Sequence, residues 1–215
     1  MPQGEAVSLW WTLPVAVLKS LWRLTLGYGL ASLCGILLGI AMGRLPVLER
    51  SLGTLLTGIQ SLPSICWLPL ALLWFGPRES AILFVVVIGS LLSITMATTT
   101  GIKRVPPILI SAARTMGARG FRLHFYVTLP AALPTIVEGM KQGWAFAWRS
   151  LMAGELLFVA GGVGYHLSVG RDLNDMSQVV AIMLLIVGIG LVVDVLVFAS
   201  LERMIRERWG LQKNA

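Results

Sequence analysis

Five stretches of this 215-residue chain are apolar over roughly the 20 residues a helix needs to cross a bilayer. They lie at 22–42, 52–75, 81–100, 134–160 and 179–201. Lipid offers no hydrogen bonds, so each span must satisfy its own N–H and C=O groups, as a helix does, or join a closed barrel. The even, short, alternating segments of a membrane barrel are missing here. The expected fold is therefore all-α: a polytopic membrane helix bundle forming one transmembrane domain over 1–215. Only 13% of the residues are charged, against about 25% in a soluble domain. That leaves no room for a large soluble domain.

The ends and loops carry the remaining polar sequence. Residues 7–18 are Trp-rich and interrupted by Pro14, too short to span, and read as an interfacial segment within 1–20. The net charge of +7 would suggest nucleic acid in a soluble chain. Here the basic residues sit between apolar runs and set orientation; no nucleic acid is expected, and lipid is the surrounding partner. Arg44 and Arg50, then Lys103, Arg104, Arg114, Arg119 and Arg122, then Arg203, Arg206, Arg208 and Lys213 fall on one side. Lys19, Arg23, Arg78 and Arg171 fall on the other. The more basic side is cytoplasmic, which places 103–130 and the tail 202–215 inside and Asp172 outside. Lys19 and Arg23 fit this poorly: they snorkel to the outer headgroups, or a further N-terminal span precedes them. Cys34 and Cys66 lie in apolar runs, and His124 and His166 fall on opposite sides, so no metal site is expected.

Residues 103–130 hold two short helix-compatible runs. Pro106-Pro107 opens 108–116, where a proline costs nothing because its missing N–H would be unpaired anyway. Gly117 supplies the left-handed residue that ends a helix. The second run, 121–128, is expected to stop at Pro130. Ala112 and Ala113 keep one face shallow, the shape a groove on a partner accepts.

Within this patch Ser111-Ala112-Ala113, three further residues, Gly117, nine residues, Val127, Thr128 and Leu129-Pro130 follow one another. The spacing resembles the cytoplasmic coupling motif of binding-protein-dependent ABC importer permeases: Glu-Ala-Ala, three residues, Gly, nine residues, an aliphatic, one residue, Leu-Pro. Ser111 stands where the motif has Glu. "SLPSICWLPLALLWFG" and "AWRSLMAGELL" look like the nitrate, sulfonate and taurine branch. The resemblance covers 20–209 and implies a type I importer permease core in a bacterial inner membrane. It implies that Ser111, Ala112, Ala113, Gly117, Leu129 and Pro130 couple to separate ABC ATPase subunits. It further implies an external solute-binding protein, a second permease subunit and a small anionic solute. The chain has no G-x-x-x-x-G-K-[ST] sequence, so no cofactor is expected on it and no catalysis by it. ATP and Mg belong to the partners.

A solute path is expected along the second and fourth spans. Pro63 and Pro69 each remove a helical hydrogen bond, which predicts a kinked second span exposing Ser61, Ser64 and Trp67. Trp144, Trp148, Arg149 and Glu155 are the corresponding candidates on the fourth. A mid-span cation such as Arg149 costs roughly 2.5–3.5 kcal/mol, so it faces solute or pairs with Asp194 or another subunit. Glu155, six residues on, lies on a different helix face. Gly161-Gly162-Val163-Gly164 reads as an external turn. A secondary transporter or channel also uses broken helices and buried cations and is the alternative class.

Overall fold

The computed structural model describes the backbone of residues 3–157 and 161–208, with side chains from residue 12 onward except 206 and 208. The described residues are almost wholly helical: α1 (Gln3–Arg44), α2 (Pro46–Gln60), α3 (Leu68–Phe75), α4 (Glu79–Lys103), α5 (Pro107–Thr115), α6 (Gly120–Leu123), α7 (Leu129–Leu157), α8 (Val163–Asp172), α9 (Met176–Val193) and α10 (Ala199–Arg208). By length and composition three of them can cross a membrane, at Thr12–Arg44, Glu79–Lys103 and Met176–Ile205; a broken pair, Pro46–Gln60 with Ser64–Phe75, makes a fourth. The 29-residue α7 is long enough, but Glu138, Lys141, Arg149 and Glu155 lower its apolar character. The expected end of that span, Ala160, lies outside the described residues.

Three local expectations are corrected. Pro14 does not separate an N-terminal segment from the first span, because α1 runs through it for 42 residues. The second span is not one kinked helix. Pro63, extended at φ −55° and ψ 137°, stands outside the helices, and a 3₁₀ turn over Ser64–Trp67 follows. Pro69 then falls in the first turn of α3, where a proline is tolerated. Finally, Pro130 stops nothing. A π-turn over His124–Thr128 joins α6 to α7, and the Leu129 N–H reaches back five residues to the His124 carbonyl. The wider turn shifts the hydrogen-bond ladder just before the residue that has no N–H to give.

The chain forms two compact units. The first comprises Met1–Ala31, Leu62–Ser90 and Trp144–Val192. Its core gathers Leu24, Leu68, Ile82, Val85, Leu151 and Ile182. Gly27 brings α1 against α4 here: a Cβ on it would lie 2.7 Å from Val86 Cγ1. Of the turn expected at 161–164, only Gly161 and Gly162 precede α8, which already includes Val163 and Gly164 and whose end is capped by Asn174 at φ 54°. Asp175 then caps α9, its carboxylate accepting the Gln178 N–H at 3.1 Å.

The second unit comprises Ser32–Ser61, Leu91–Gly143 and Val193–Ala215. Ile102, Val105, Ala132 and Ile136 form its core. Gly35, Gly39 and Gly43, spaced by four, put one glycine face of α1 against Ile94, Thr98 and Ile102 of α4. Small residues at this spacing let helices in lipid gain close van der Waals contact. A Cβ on Gly39 would stand 2.5 Å from Thr98 Cβ and 2.7 Å from the Thr95 carbonyl oxygen. Gly39→Ala is therefore expected to cost about 1–3 kcal/mol, the usual penalty of overpacking. Detergent thermal unfolding checks it, with the open-space variant Gly58→Ala as control.

Candidate functional site

The patch at 107–128 is built by its punctuation. Pro107 opens α5, and at the other end the Ala118 N–H bonds the Ala113 carbonyl at 2.9 Å while Gly117 N–H bonds that of Arg114 at 3.0 Å. This paired closure requires the left-handed residue that Gly117 supplies at φ 87°. Gly120, at φ 54°, makes a second such turn before α6. Ser111 and Ala112 are exposed, but Ala113 is 3% exposed and packs into its own chain. The open face instead carries large apolar side chains: Ile108, Met116, Phe121 and Tyr126 are each at least 70% exposed. Phe121 stacks on Phe125 at 5.7 Å. Arg114, Arg119 and Arg122 surround them, all exposed. Burial, then the nearby Arg44 and Arg114, hold the His124 imidazole below its ordinary pKa, so it stays neutral at pH 7. Leu129 and Pro130 lie at the start of α7, not on a separate stop.

Within the first unit the expected path residues lie in different surroundings. In the first unit, Pro63 and Pro69 are exposed, Ser64 and Trp67 half-buried. Trp148 is buried in the apolar core. Trp144 meets the edge of Tyr28 at 5.4 Å. Arg149 is exposed, its Nε donating to the Ala145 carbonyl at 3.0 Å and its guanidinium lying 4.8 Å from the centre of the Phe146 ring. In the second unit, Asp194 already has its cation: Lys141 Nζ is 3.1 Å away and also 3.7 Å from Glu202. The ion pair considered for Arg149 with Asp194 is thus replaced by Lys141–Asp194. Arg149→Gln is accordingly expected to leave the unfolding temperature unchanged, and adding Asp194→Asn to bring no rescue. Scanning calorimetry of both variants checks this.

Glu155 reaches no open space among the described residues. It is fully buried. The Ser20 hydroxyl lies 2.7–2.8 Å from its two carboxylate oxygens, Arg23 Nη1 donates at 3.1 Å and the Gly164 N–H at 3.0 Å. Ser20 Oγ accepts from the Val163 N–H at 3.0 Å, so the two side chains together satisfy the start of α8. Arg23, only 4% exposed, also reaches Glu79 at 2.7 Å. That resolves its poor fit to the charge asymmetry: Arg23 is the counterion of a buried carboxylate and carries no topological information. A Cβ on Gly162 or Gly164 would run into Glu155, so the glycines of 161–164 are there for close approach, not only for turning.

Two clefts in the second unit hold residues that sequence reasoning passed over. One, of about 900 Å³, is bordered by Ser61, Thr54, Thr57, Thr99, Lys103 and Arg104. Ser61 is the single expected path residue found there. Lys103 is neutralised by Glu49. The other, of about 270 Å³, has walls from α2, α4 and α7. The legible signal was the hydroxyl run on α4, Ser93 through Thr100, which a lipid-facing helix would not carry.

A family model described as "Binding-protein-dependent transport system inner membrane component" matches residues 31–206. The chain belongs to this family. Among its relatives, an ABC transporter permease protein of Methanocaldococcus jannaschii is 38% identical over 81% of this chain. The taurine transport system permease protein of Escherichia coli is 32% identical over 76% of it, and the bicarbonate transport system permease protein of a Synechocystis strain 29% over 82%. The chain spans 66%, 58% and 64% of those relatives' own lengths, respectively. In fold it is similar to a chain of the inward-facing MetNI methionine ABC transporter, with a TM-score of 0.80 and 19% identity over 92% of this chain and 98% of that one. A chain of an amino acid ABC transporter gives 0.69 at 18% identity, covering 97% and 99%. The fold is that of type I ABC importer permeases, and the protein is a multi-pass inner-membrane component.

Proposed function

We propose that this chain is the membrane-spanning subunit of an ATP-driven importer for a small solute with an oxyanion group, of the nitrate, sulfonate or taurine type. It would work with separate ATPase subunits that hold ATP and Mg, an external solute-binding protein and a second permease subunit, in a homodimer. The observation that carries this reading is the exposed patch of α5 and α6, closed at Gly117 and continuous through the π-turn with α7. Its rim of Met116, Phe121 and Tyr126 offers apolar area, and its arginines offer charge, to a groove on a cytoplasmic partner. ATP-driven closure of the ATPase pair would push on 111–126, and the unbroken helix would carry that displacement into α7.

The test has two parts. The ATPase subunit should co-purify with the chain. A cysteine at Arg119 should be labelled only from the cytoplasm, and one at Asp172 only from outside. A reversed pattern rejects the reading, because the patch must meet a cytoplasmic ATPase.

A further inference from the structure

The 270 Å³ cleft sits just below the usual range for small-molecule sites, about 300–1,000 Å³. Its walls are unusually polar for a helix bundle in lipid: Gln60 from α2, Ser93 and Thr100 from α4, Thr135, Glu138 and Gln142 from α7. Gly139 lets α7 pack closely on α4 beside the cleft, since a Cβ there would stand only 2.0 Å from that of Ala97.

Two features of this wall are unexplained by folding. Hydroxyls on α4 ordinarily bond the carbonyl one turn back, as Ser90, Thr95 and Thr99 do at 2.7–2.8 Å. Ser93 is 3% exposed, yet its Oγ has no hydrogen-bond partner among the described residues. Thr98, likewise unpartnered, faces Gly39 of α1 instead. A buried hydroxyl without a partner is disfavoured, and only Ser93 of the two borders the cleft. The second feature is Glu138. It is exposed in the wall and forms no ion pair among the described residues, because Lys141, one turn on, is taken by Asp194 and Glu202. A carboxylate there repels a bare anion. At the other end, Thr100 and Met96 are shared with the larger cleft, where Arg104 follows Thr100 by about one turn, roughly 6 Å along the axis.

We propose that this cleft is a solute subsite in which Ser93, Thr100 and the amides of Gln60 and Gln142 donate to an oxyanion while Glu138 takes an ammonium group, so that the chain favours small zwitterions over simple anions. The inference rests on the importer reading and narrows its solute class. The acid at one end and the arginine beyond the other match separated charges of opposite sign. The neutral hydroxyls and amides between them tolerate either orientation of passage, as a transient site must.

The experiment measures ligand-induced thermal stabilisation of the purified full chain in nanodiscs. The probes are taurine, which carries both groups, ethanesulfonate, which lacks the ammonium, and nitrate. Taurine should half-saturate at a concentration about tenfold below the other two, the worth of one charge-assisted hydrogen bond. Glu138→Gln should erase that preference by weakening taurine alone, and Glu138→Lys should invert it towards ethanesulfonate. Ser93→Ala should weaken taurine and ethanesulfonate alike without lowering the unliganded unfolding temperature, since the hydroxyl it removes has no partner among the described residues. Equal binding of the three probes, no binding, or a preference that survives Glu138→Gln overturns the subsite. Co-purification of the ATPase from the same cells reports separately on the importer reading: ATPase retained without solute selectivity removes the subsite and leaves the importer.

Discussion

Replacing Glu155 with alanine is expected to remove about 3–5 kcal/mol of stability, the range for breaking one side of a buried ion pair. Three donors lose their acceptor at once: Ser20, Arg23 and the Gly164 N–H. Arg23, 4% exposed, loses its buried counterion, and the side chain of Glu79, which it also meets, is 70% exposed and so screens little of a buried charge. Glu155→Gln, which keeps the shape and one acceptor oxygen, should lose less. The double variant Arg23→Met/Glu155→Leu should recover much of the loss, because apolar replacement of a whole buried pair is often neutral. Chemical unfolding in detergent reads all three. Uptake by the folded fraction should stay unchanged, since the carboxylate is sealed from any open space. A selective loss of uptake with normal stability would return Glu155 to the solute path.

Ala112→Trp is expected to weaken strongly the coupling of solute binding to ATP hydrolysis while leaving the fold intact. Ala112 is exposed and Ala113 is not, so bulk at 112 would meet the proposed ATPase subunit, whereas bulk at 113 would damage the permease itself. Overpacking a fitted contact costs about 1–3 kcal/mol, which at 1.4 kcal/mol per tenfold lowers complex formation about five- to 150-fold. Gly117→Val attacks the same contact differently. A β-branched residue resists φ 87°, so the closure between Ala118 and Ala113 should open and α5 should lose its fixed presentation. Solute-stimulated ATPase activity in the reconstituted complex measures both, with unfolding temperature as the control. Full stimulation in Ala112→Trp would show that the patch does not seat in a groove.

What was legible in the sequence is what depends on neighbours in the chain. Apolar length determines where helices cross a bilayer, and 81–100 and 179–201 fall inside α4 and the α9–α10 helix accordingly. Turn chemistry is equally local: Pro107 and Gly117 mark both ends of α5 because φ and a missing N–H act within one turn. Local reasoning fails where a second contact compensates the first. Pro130 should have stopped a helix, and the π-turn before it supplied the ladder shift that lets the helix pass. Arg149 looked like the costly buried cation, yet it is exposed, and the buried one is Arg23, which finds Glu155 132 positions away. No periodicity announces such a pair, because a charge is tolerated in an apolar unit only by the geometry of its partner. Ser93 and Glu138 are likewise ordinary letters in the chain. Only the packing of α2, α4 and α7, with Gly139 admitting Ala97, leaves one without a bond and the other without a counterion among the described residues, beside the same open space.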